Sequence, residues 1–535
     1  MTADTSTLTP DAPQNDGVAN ADNAIQWCLL SHTNIGKTTL ARTLLADDIG
    51  EVQDAAHVTS QSQRYRLQRT PQGDELWLWD TPGFGDSLRL YNRLNQQGNP
   101  LGWFLSNVWD RWRDKPFYMS QRALLAARDH ADVMLYLVNA AENPADAGYW
   151  ASEMRILQWM NKPVMVLLNQ IGSDTTAQQT AADLQRWRNA TAEFAGTVKS
   201  VQILDAFTRS WWHEKQVMQS IAPLLPAAKQ ASYQRLLQER ATAQQNREAA
   251  SLQALATQLL QAATAHEQVE GDDAKLWQRA WSKVSSTVTQ AVRGAANGDE
   301  KISPQQAAAM QRLTQALQQA DIASTQTLLQ LHHLDGQAAS QIQQQLKDQL
   351  KITTPIDPQT ASLWGAVTAG AATGLGADMV AGGLTLGAGA LLGALVGAAT
   401  FAGAAWGANK VFDQEAQQFR LSPDYLSALA GQLLLKYLVI SHFGRGRGRY
   451  TAPSAPAQWN EAIQASIHSR ANQWQALWSA LACSDAAPDT ACAQSAHAQT
   501  LQLLLSECLQ HTLQSLYPDI RPPAHTSTPK PASAQ

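Results

Sequence analysis

Residues 24–38 read AIQWCLLSHTNIGKT, an apolar run of strand length that passes without a break into a polar loop. The loop, Ser31-His32-Thr33-Asn34-Ile35-Gly36-Lys37-Thr38, has the spacing GxxxxGK[ST] with Ser31 in place of the first glycine. Residues 38–45 continue with helical spacing. A loop set between a strand and a helix turns successive backbone N–H groups toward one point, which makes a cradle for phosphate. In such a loop Gly36 admits a close approach of the backbone, Lys37 reaches the β- and γ-phosphates, and the Thr38 hydroxyl is a ligand for Mg²⁺. Ser31, Asn34, Ile35 and Thr39 line the same loop. Ser31 stands where glycine is usual and needs a tolerable backbone angle there.

Working outward, residues 76–79, 133–138 and 164–168 are further short apolar runs with the look of buried strands, and helical stretches separate them. This alternation predicts an α/β domain with a largely parallel sheet. Residues 64–68 and 75–79, joined through Pro71-Gln72-Gly73, read as an antiparallel hairpin at its edge. The run at 76–79 ends in Asp80-Thr81-Pro82-Gly83, a DxxG sequence. Asp80 at a strand end can hold Mg²⁺ through water, and the Gly83 N–H can bind a γ-phosphate and report its loss.

With both motifs in one sheet, the chain resembles the Ras-like P-loop GTPases, specifically the Era-like and septin-like branch whose third motif reads DTPG. It looks closest to a bacterial group that joins this domain to a long helical C-terminal region of unknown function. The motif resemblance covers residues 24–225. It implies GTP as the bound nucleotide, Mg²⁺ as cofactor, and catalytic roles for Lys37, Thr59 and Gly83. Thr59 is the candidate switch threonine, closing on Mg²⁺ and the γ-phosphate; an ordinary loop threonine is the competing reading, and His57 beside it reads first as a packing or solvated histidine. Asn34 stands where K⁺-stimulated members carry an asparagine that helps to hold K⁺ beside the phosphates; otherwise it simply tolerates the tight loop. Phe84 stands where Ras-like enzymes keep a water-orienting glutamine, so unaided hydrolysis should be slow and should need K⁺, a homodimer partner or an activator.

Base recognition is the weak point of the resemblance. After the run at 164–168 comes Asn169-Gln170-Ile171-Gly172, where the family reads NKxD. Asn169 matches and Gln170 can stack on a ring, but Gly172 has no carboxylate to accept the two guanine N–H bonds. Such a contact discriminates strongly, so ATP or relaxed specificity stands beside GTP. Asp174 is a candidate substitute, and Leu204-Asp205-Ala206, the candidate fifth motif, is too generic to count alone. The stretch between Gly83 and Val133, with Trp103, Phe104, Trp109, Trp112, Phe117 and Tyr118, reads equally as a partner surface or as a cover for the sheet.

The 535-residue chain is too long for one ordinary core. Its organisation reads as a disordered tail (1–23), the α/β domain (24–226), a Gln-, Ala- and Leu-rich helical region (227–361), an apolar Gly/Ala-rich segment (362–408), a second helical region (409–520) and a second tail (521–535). Leucines at 252, 255, 259 and 260, and Met310, Leu313 and Leu317, follow helical spacing, as core faces or as a coiled coil. Residues 362–408 carry one ionisable residue, Asp378, and glycines at four-residue spacing. They suit either a helical hairpin in a membrane or a closely packed soluble hairpin. In the membrane reading, Arg445, Arg447 and Arg449 lie on the cytoplasmic side and the chain attaches to the inner membrane or to a membrane-protein partner. A net charge of -5 gives no basic field for a phosphate polymer, so nucleic acid is not an expected partner. Four cysteines without a CxxC pair argue against a zinc or disulfide framework. The N-terminus lacks the pattern of a signal peptide, and a cytoplasmic location is expected. Two functions remain: a Mg²⁺-dependent GTPase switch, and a nucleotide-binding membrane scaffold with negligible hydrolysis.

Overall fold

The computed structural model describes residues 24–46, 62–96, 98, 100–106, 115–172, 175–268, 304–334, 412–413, 418–421, 423–443, 457–484 and 491–518. Thr59, His57, Trp109, Trp112, Asp174, both tails, the apolar segment 362–408 and the Arg445–Arg449 cluster lie outside the described residues. Among the described residues no helix is long and apolar enough to cross a membrane.

The N-terminal domain is a doubly covered α/β sheet. Its strands are β1 (Ile25–Ser31), β2 (Gln63–Arg69), β3 (Glu75–Asp80), β4 (Val133–Asn139), β5 (Val164–Asn169) and β6 (Val198–Ile203), in the order β2-β3-β1-β4-β5-β6. Only the β2–β3 pair is antiparallel, the edge hairpin expected from sequence. Every residue of β1 is buried, because helices cover both faces of a parallel sheet. The pleat divides its side chains: Cys28 and Leu30 join one core with Tyr136, Val138 and Val166, while Ile25, Trp27 and Leu29 join the opposite core with Leu40, Leu135 and Leu167. The aromatic stretch covers the first of these faces in part. Phe104 and Phe117 are buried in it, edge to face with centroids 6.2 Å apart. The helices of this domain are α1 (Lys37–Leu45), α2 (Ser87–Leu94), α3 (Pro100–Ser106), α4 (Lys115–His130), α5 (Trp150–Gln158), α6 (Ala177–Thr191) and α7 (Trp211–Ile221).

One helix, α8 (Ala227–Thr264), runs out of this domain into the next. Its 38 residues span ~57 Å at 1.5 Å per residue. At its start Lys229 pairs with Asp132 at 2.9 Å and donates to the Ala24 carbonyl at 2.8 Å, tying it to the sheet. Tyr233 and Leu236 are buried in the sheet's second core, where Tyr233 meets Trp27 edge to face. Further along, Leu252, Leu255 and Leu259 are buried in a separate helical core. The leucine spacing therefore marks a core face.

That second core gathers α9 (Pro304–Leu331), α10 (Pro423–Ser441), α11 (Ala457–Ser469), α12 (Ala471–Ser484) and α13 (Ala491–Leu516) around α8, with Trp459, Trp474 and Trp478 buried among them. A lysine sits inside it. Lys436 donates to Asp321 at 2.9 Å and to Ser324 at 2.9 Å, so α9 and α10 are cross-bonded in a polar cluster with Gln258 of α8. The described residues of this region are mainly helical, as the sequence pattern implied, with one small sheet among them. Three short strands, β7 (His266–Gln268), β8 (Phe412–Asp413) and β9 (Gln418–Leu421), form an antiparallel sheet in the order β7-β9-β8.

Candidate functional site

At the carboxyl ends of the strands β1 is flanked by β3 on one side and β4 on the other, the place where an open parallel sheet forms a crevice. Residues 31–36 turn there from β1 into α1. Left-handed backbone occurs at Asn34 (φ 65°) and at Gly36 (φ 98°). It does not occur at Ser31, the buried last residue of β1, so serine has a tolerable backbone angle at a motif position where glycine is usual. Gly36 caps α1 without a side-chain cap bond, so the N-terminus of the helix lies at the crevice.

Lys37, the first residue of α1, folds back over the loop and donates to Ser31 Oγ at 3.0 Å. Burial lowers its pKa, while the carboxylates of Asp80 and Glu153 oppose the shift. Register places Asp80 beside Leu29 of β1, at the mouth of the same crevice. Asp80 Oδ2 accepts from Thr38 Oγ1 at 2.7 Å. Among the described residues its buried Oδ1 has no hydrogen-bond partner, and burial raises its pKa against the opposing Thr38 bond and Lys37 charge. One hydroxyl and one carboxylate with an unused oxygen suit a hard cation that keeps several waters and takes phosphate oxygens as its other ligands, which is the habit of Mg²⁺. Gly83 is pressed against this assembly: a Cβ there would lie 2.9 Å from Thr33 Cα and 3.1 Å from Lys37 Nζ. Thr39 is buried on α1.

Phe84 follows directly. It is fully buried, its N–H donates to the Ser31 carbonyl at 2.9 Å, and it bridges to His32 in parallel. Its ring lies in the core and not in the crevice.

At the other end of the crevice Asn169 ends β5. Its amide donates to the Ile35 carbonyl at 2.7 Å and accepts from Ala206 N at 2.8 Å, so it stitches the phosphate loop to the turn after β6. Gln170, at φ 58°, donates to the same Ile35 carbonyl at 3.4 Å. Gly172 is described and carries no side chain, as read; Asp205 stands against the same turn, with Oδ2 3.4 Å from Ile171 N and Oδ1 2.9 Å from Phe207 N. The turn is in turn fixed to the helical region. Arg209 N donates to the His442 carbonyl at 2.9 Å, Thr208 bridges Phe443, and buried Glu214 takes both Arg209, at 3.2 Å, and Arg240 of α8.

The structure thus brings together Ser31, Asn34, Ile35, Gly36, Lys37, Thr38, Thr39, Asp80, Gly83, Asn169 and Gln170 around one crevice. Thr59 is not among the described residues. Sequence reasoning missed Glu153. It is fully buried on α5 and accepts from His32 Nδ1 at 2.8 Å, from Tyr136 OH at 2.5 Å and from Ser87 Oγ at the start of α2. It therefore joins the phosphate loop to the segment after Gly83. A signal was present, since Glu153 lies on the apolar face that Trp150, Met154 and Leu157 define.

The family described as Domain of unknown function (DUF3482) matches residues 192–505, and that described as 50S ribosome-binding GTPase matches residues 27–170. No curated protein matches the chain. Among solved structures, Aquifex aeolicus Era bound to GDP.AlF4- is 18% identical, over 38% of this chain and 57% of that one, with a TM-score of 0.29. Toc33 from Arabidopsis thaliana is 12% identical, over 34% and 71%, with a TM-score of 0.22. A member of an oligomerised bacterial dynamin pair is 9% identical, over 91% and 77%, with a TM-score of 0.23. The chain spans little more than half the length of the Era chain. The N-terminal part matches a P-loop GTPase domain and has its α/β sheet, and the chain belongs to the family described as Domain of unknown function (DUF3482).

Proposed function

We propose that this protein is a slow, Mg²⁺-dependent GTPase switch whose helical C-terminal region carries the output. The observation that bears most on this reading is the bond from Thr38 to Asp80, with Lys37 and Gly83 packed beside it at the head of the crevice. In this reading the α1 N-terminus, Ser31, Ile35, Gly36 and Thr39 hold the phosphates, Lys37 neutralises the β- and γ-phosphates, and Asn169 and Gln170 lie under the base. Thr38, Asp80 and Thr59 hold Mg²⁺, which supplies positive charge between the β- and γ-phosphates. Gly83 N–H meets the γ-phosphate, and its release after hydrolysis frees the segment that runs into α2.

Phe84 is buried, so this chain has no side chain there to orient the attacking water. Slow turnover follows, with K⁺ beside Asn34 as one source of acceleration and a second copy of the chain as another. We place the protein in the cytoplasm, attached to the inner membrane or a membrane protein through residues 362–408. Phe84 also favours a second reading, a nucleotide-binding scaffold with negligible turnover. Phosphate release from GTP and ATP, in K⁺ and in Na⁺ and with Lys37→Ala as control, separates the two. The switch predicts Lys37-dependent GTP turnover that rises in K⁺; binding without turnover in either salt supports the scaffold. Carbonate extraction of membranes tests the tether, and a fully soluble chain removes it.

A further inference from the structure

Glu153 is an acid where the pattern of α5 asks for an apolar residue. It is fully buried on the face that carries Trp150, Met154 and Leu157, and a carboxylate in such a place needs donors to satisfy it. Tyr136 of β4 donates to Oε2 at 2.5 Å. Oε1 takes two more donors: His32 Nδ1 of the phosphate loop, at 2.8 Å, and the hydroxyl of Ser87, the first residue of α2. One oxygen therefore bonds both the loop that cradles phosphate and the helix that follows Gly83. The His32 ring is also stacked on Tyr149, with centroids 4.3 Å apart and planes 8° apart, so it is held by a face as well as an edge.

The segment that leads to Ser87 is fastened along its length. Gly83 is pressed against Thr33 and Lys37. Phe84 N–H donates to the Ser31 carbonyl at 2.9 Å and Gly85 N–H to Ser120 Oγ of α4 at 3.1 Å. A Cβ on Gly85 would stand 2.4 Å from Pro116 Cβ, so the segment runs hard against α4. In this arrangement Gly83 lies at the head of the crevice, where its N–H can meet a γ-phosphate. Burial lowers the pKa of Lys37, and Asp80 and then Glu153 oppose that shift, so the charge of Glu153 is felt at the lysine too.

We propose that Glu153 is a positioning residue for the γ-phosphate: it holds the segment from Gly83 to Ser87 against the phosphate loop in the triphosphate form, and it passes the loss of that phosphate to α2. The inference rests on the reading of the protein as a GTPase switch and names the side chain that joins its two parts. His32 and Ser87 bond Glu153 together in the triphosphate form, and the Ser87 bond breaks when Gly83 leaves the crevice. Tyr136, on an inner strand of the sheet, bonds the same carboxylate in both forms. A contact that differs between two states biases them, and one that does not differ biases neither.

In the test the full chain with Mg²⁺ is titrated with GTPγS and with GDP, and hydrogen exchange is followed at residues 84–94 in each complex. The wild type should protect these residues more with GTPγS than with GDP. Ser87→Ala and Glu153→Gln should each lower the ratio of GTPγS to GDP affinity by about tenfold, the loss of one hydrogen bond to a charged group. Both should also erase the exchange difference at α2 while GDP affinity holds. Glu153→Gln keeps the size of the side chain but turns one acceptor into a donor; Ser87→Ala deletes a single hydroxyl and carries the test alone if the buried glutamine does not fold. Tyr136→Phe removes another buried bond to the same acid. It should lower the melting temperature and leave the affinity ratio and the exchange difference as in wild type. A wild-type ratio and exchange difference in Ser87→Ala, or an equal loss of both in Tyr136→Phe, overturns the proposal while the switch reading stands. Exchange at α2 that is alike with GTPγS and GDP in the wild type defeats the switch reading itself, and this inference with it.

Discussion

At the phosphate end of the crevice the side chains are local to their motifs and already bonded to one another: Lys37 to Ser31, and Thr38 to Asp80. At the base end the bonds run between distant parts of the chain. Asn169 links Ile35 to Ala206, and Arg209 and Glu214 fasten the adjoining turn to α8 and to the end of α10. One end is assembled by short-range geometry around α1; the other depends on where the helical region sits. A nucleotide that spans both ends therefore touches an element whose position the C-terminal domain shares in setting. This is a route by which nucleotide and helical region can influence each other, since a ligand shifts an arrangement only through contacts that differ between its states.

The largest expected effect lies at the phosphate end. Lys37→Ala removes a buried charge-assisted contact and should cost about 3 kcal/mol of affinity, roughly 100-fold, for every triphosphate alike. Isothermal titration with GTP and ATP reads this; a loss confined to GTP would break the division between the two ends. Next comes the tether of the base end. Glu214→Ala leaves two partly buried arginines facing each other and should lower unfolding free energy by about 3 kcal/mol in urea titration. It should also weaken GTP over ATP discrimination more than it weakens ATP binding. Equal loss for both nucleotides would uncouple the base end from the helical region.

Acid should loosen the same junction. Burial holds His442 and His213 down to about 4, against an ordinary value of 6.5, and the two repel each other when charged. Below pH 6.5 the unfolded chain takes up protons that the folded chain does not, so stability falls as pH drops from 6.5 toward 4. His442→Gln should flatten that slope, as measured by melting temperature against pH. The smallest effect belongs to Ser31→Gly. Because Ser31 has no left-handed backbone, the substitution should change GTP affinity by no more than about threefold, the loss of one modest hydrogen bond.

The phosphate end was legible in the sequence because its chemistry is local. An apolar strand, a fixed spacing to Lys37 and Thr38, and a second strand ending in Asp80 are patterns a reader can count. Spacing alone does not say which peptide carries the turn, and the left-handed residues are Asn34 and Gly36. The base end was hard to read for a physical reason: it is strand pairing that sets Asp205 beside Ile171, 34 positions away. β6 was itself inconspicuous, since Lys199 and Ser200 interrupt its apolar run and it forms the edge of the sheet. The small second sheet was invisible for a similar reason. Its strands hold two to four residues and pair His266 with Arg420, which no local periodicity can announce. Glu153 and Lys436, buried acid and base in apolar helices, were present as breaks in a stripe but receive partners only in three dimensions.

The central claim is that a guanine triphosphate spans the crevice from Lys37 to the turn at Asn169 and Gln170. Competitive titration of the full chain with GTP and ATP in Mg²⁺ tests it most directly. The account predicts GTP binding at least about tenfold tighter than ATP, with both lost in Lys37→Ala; equal affinity for the two nucleotides, or binding that survives Lys37→Ala, would contradict it.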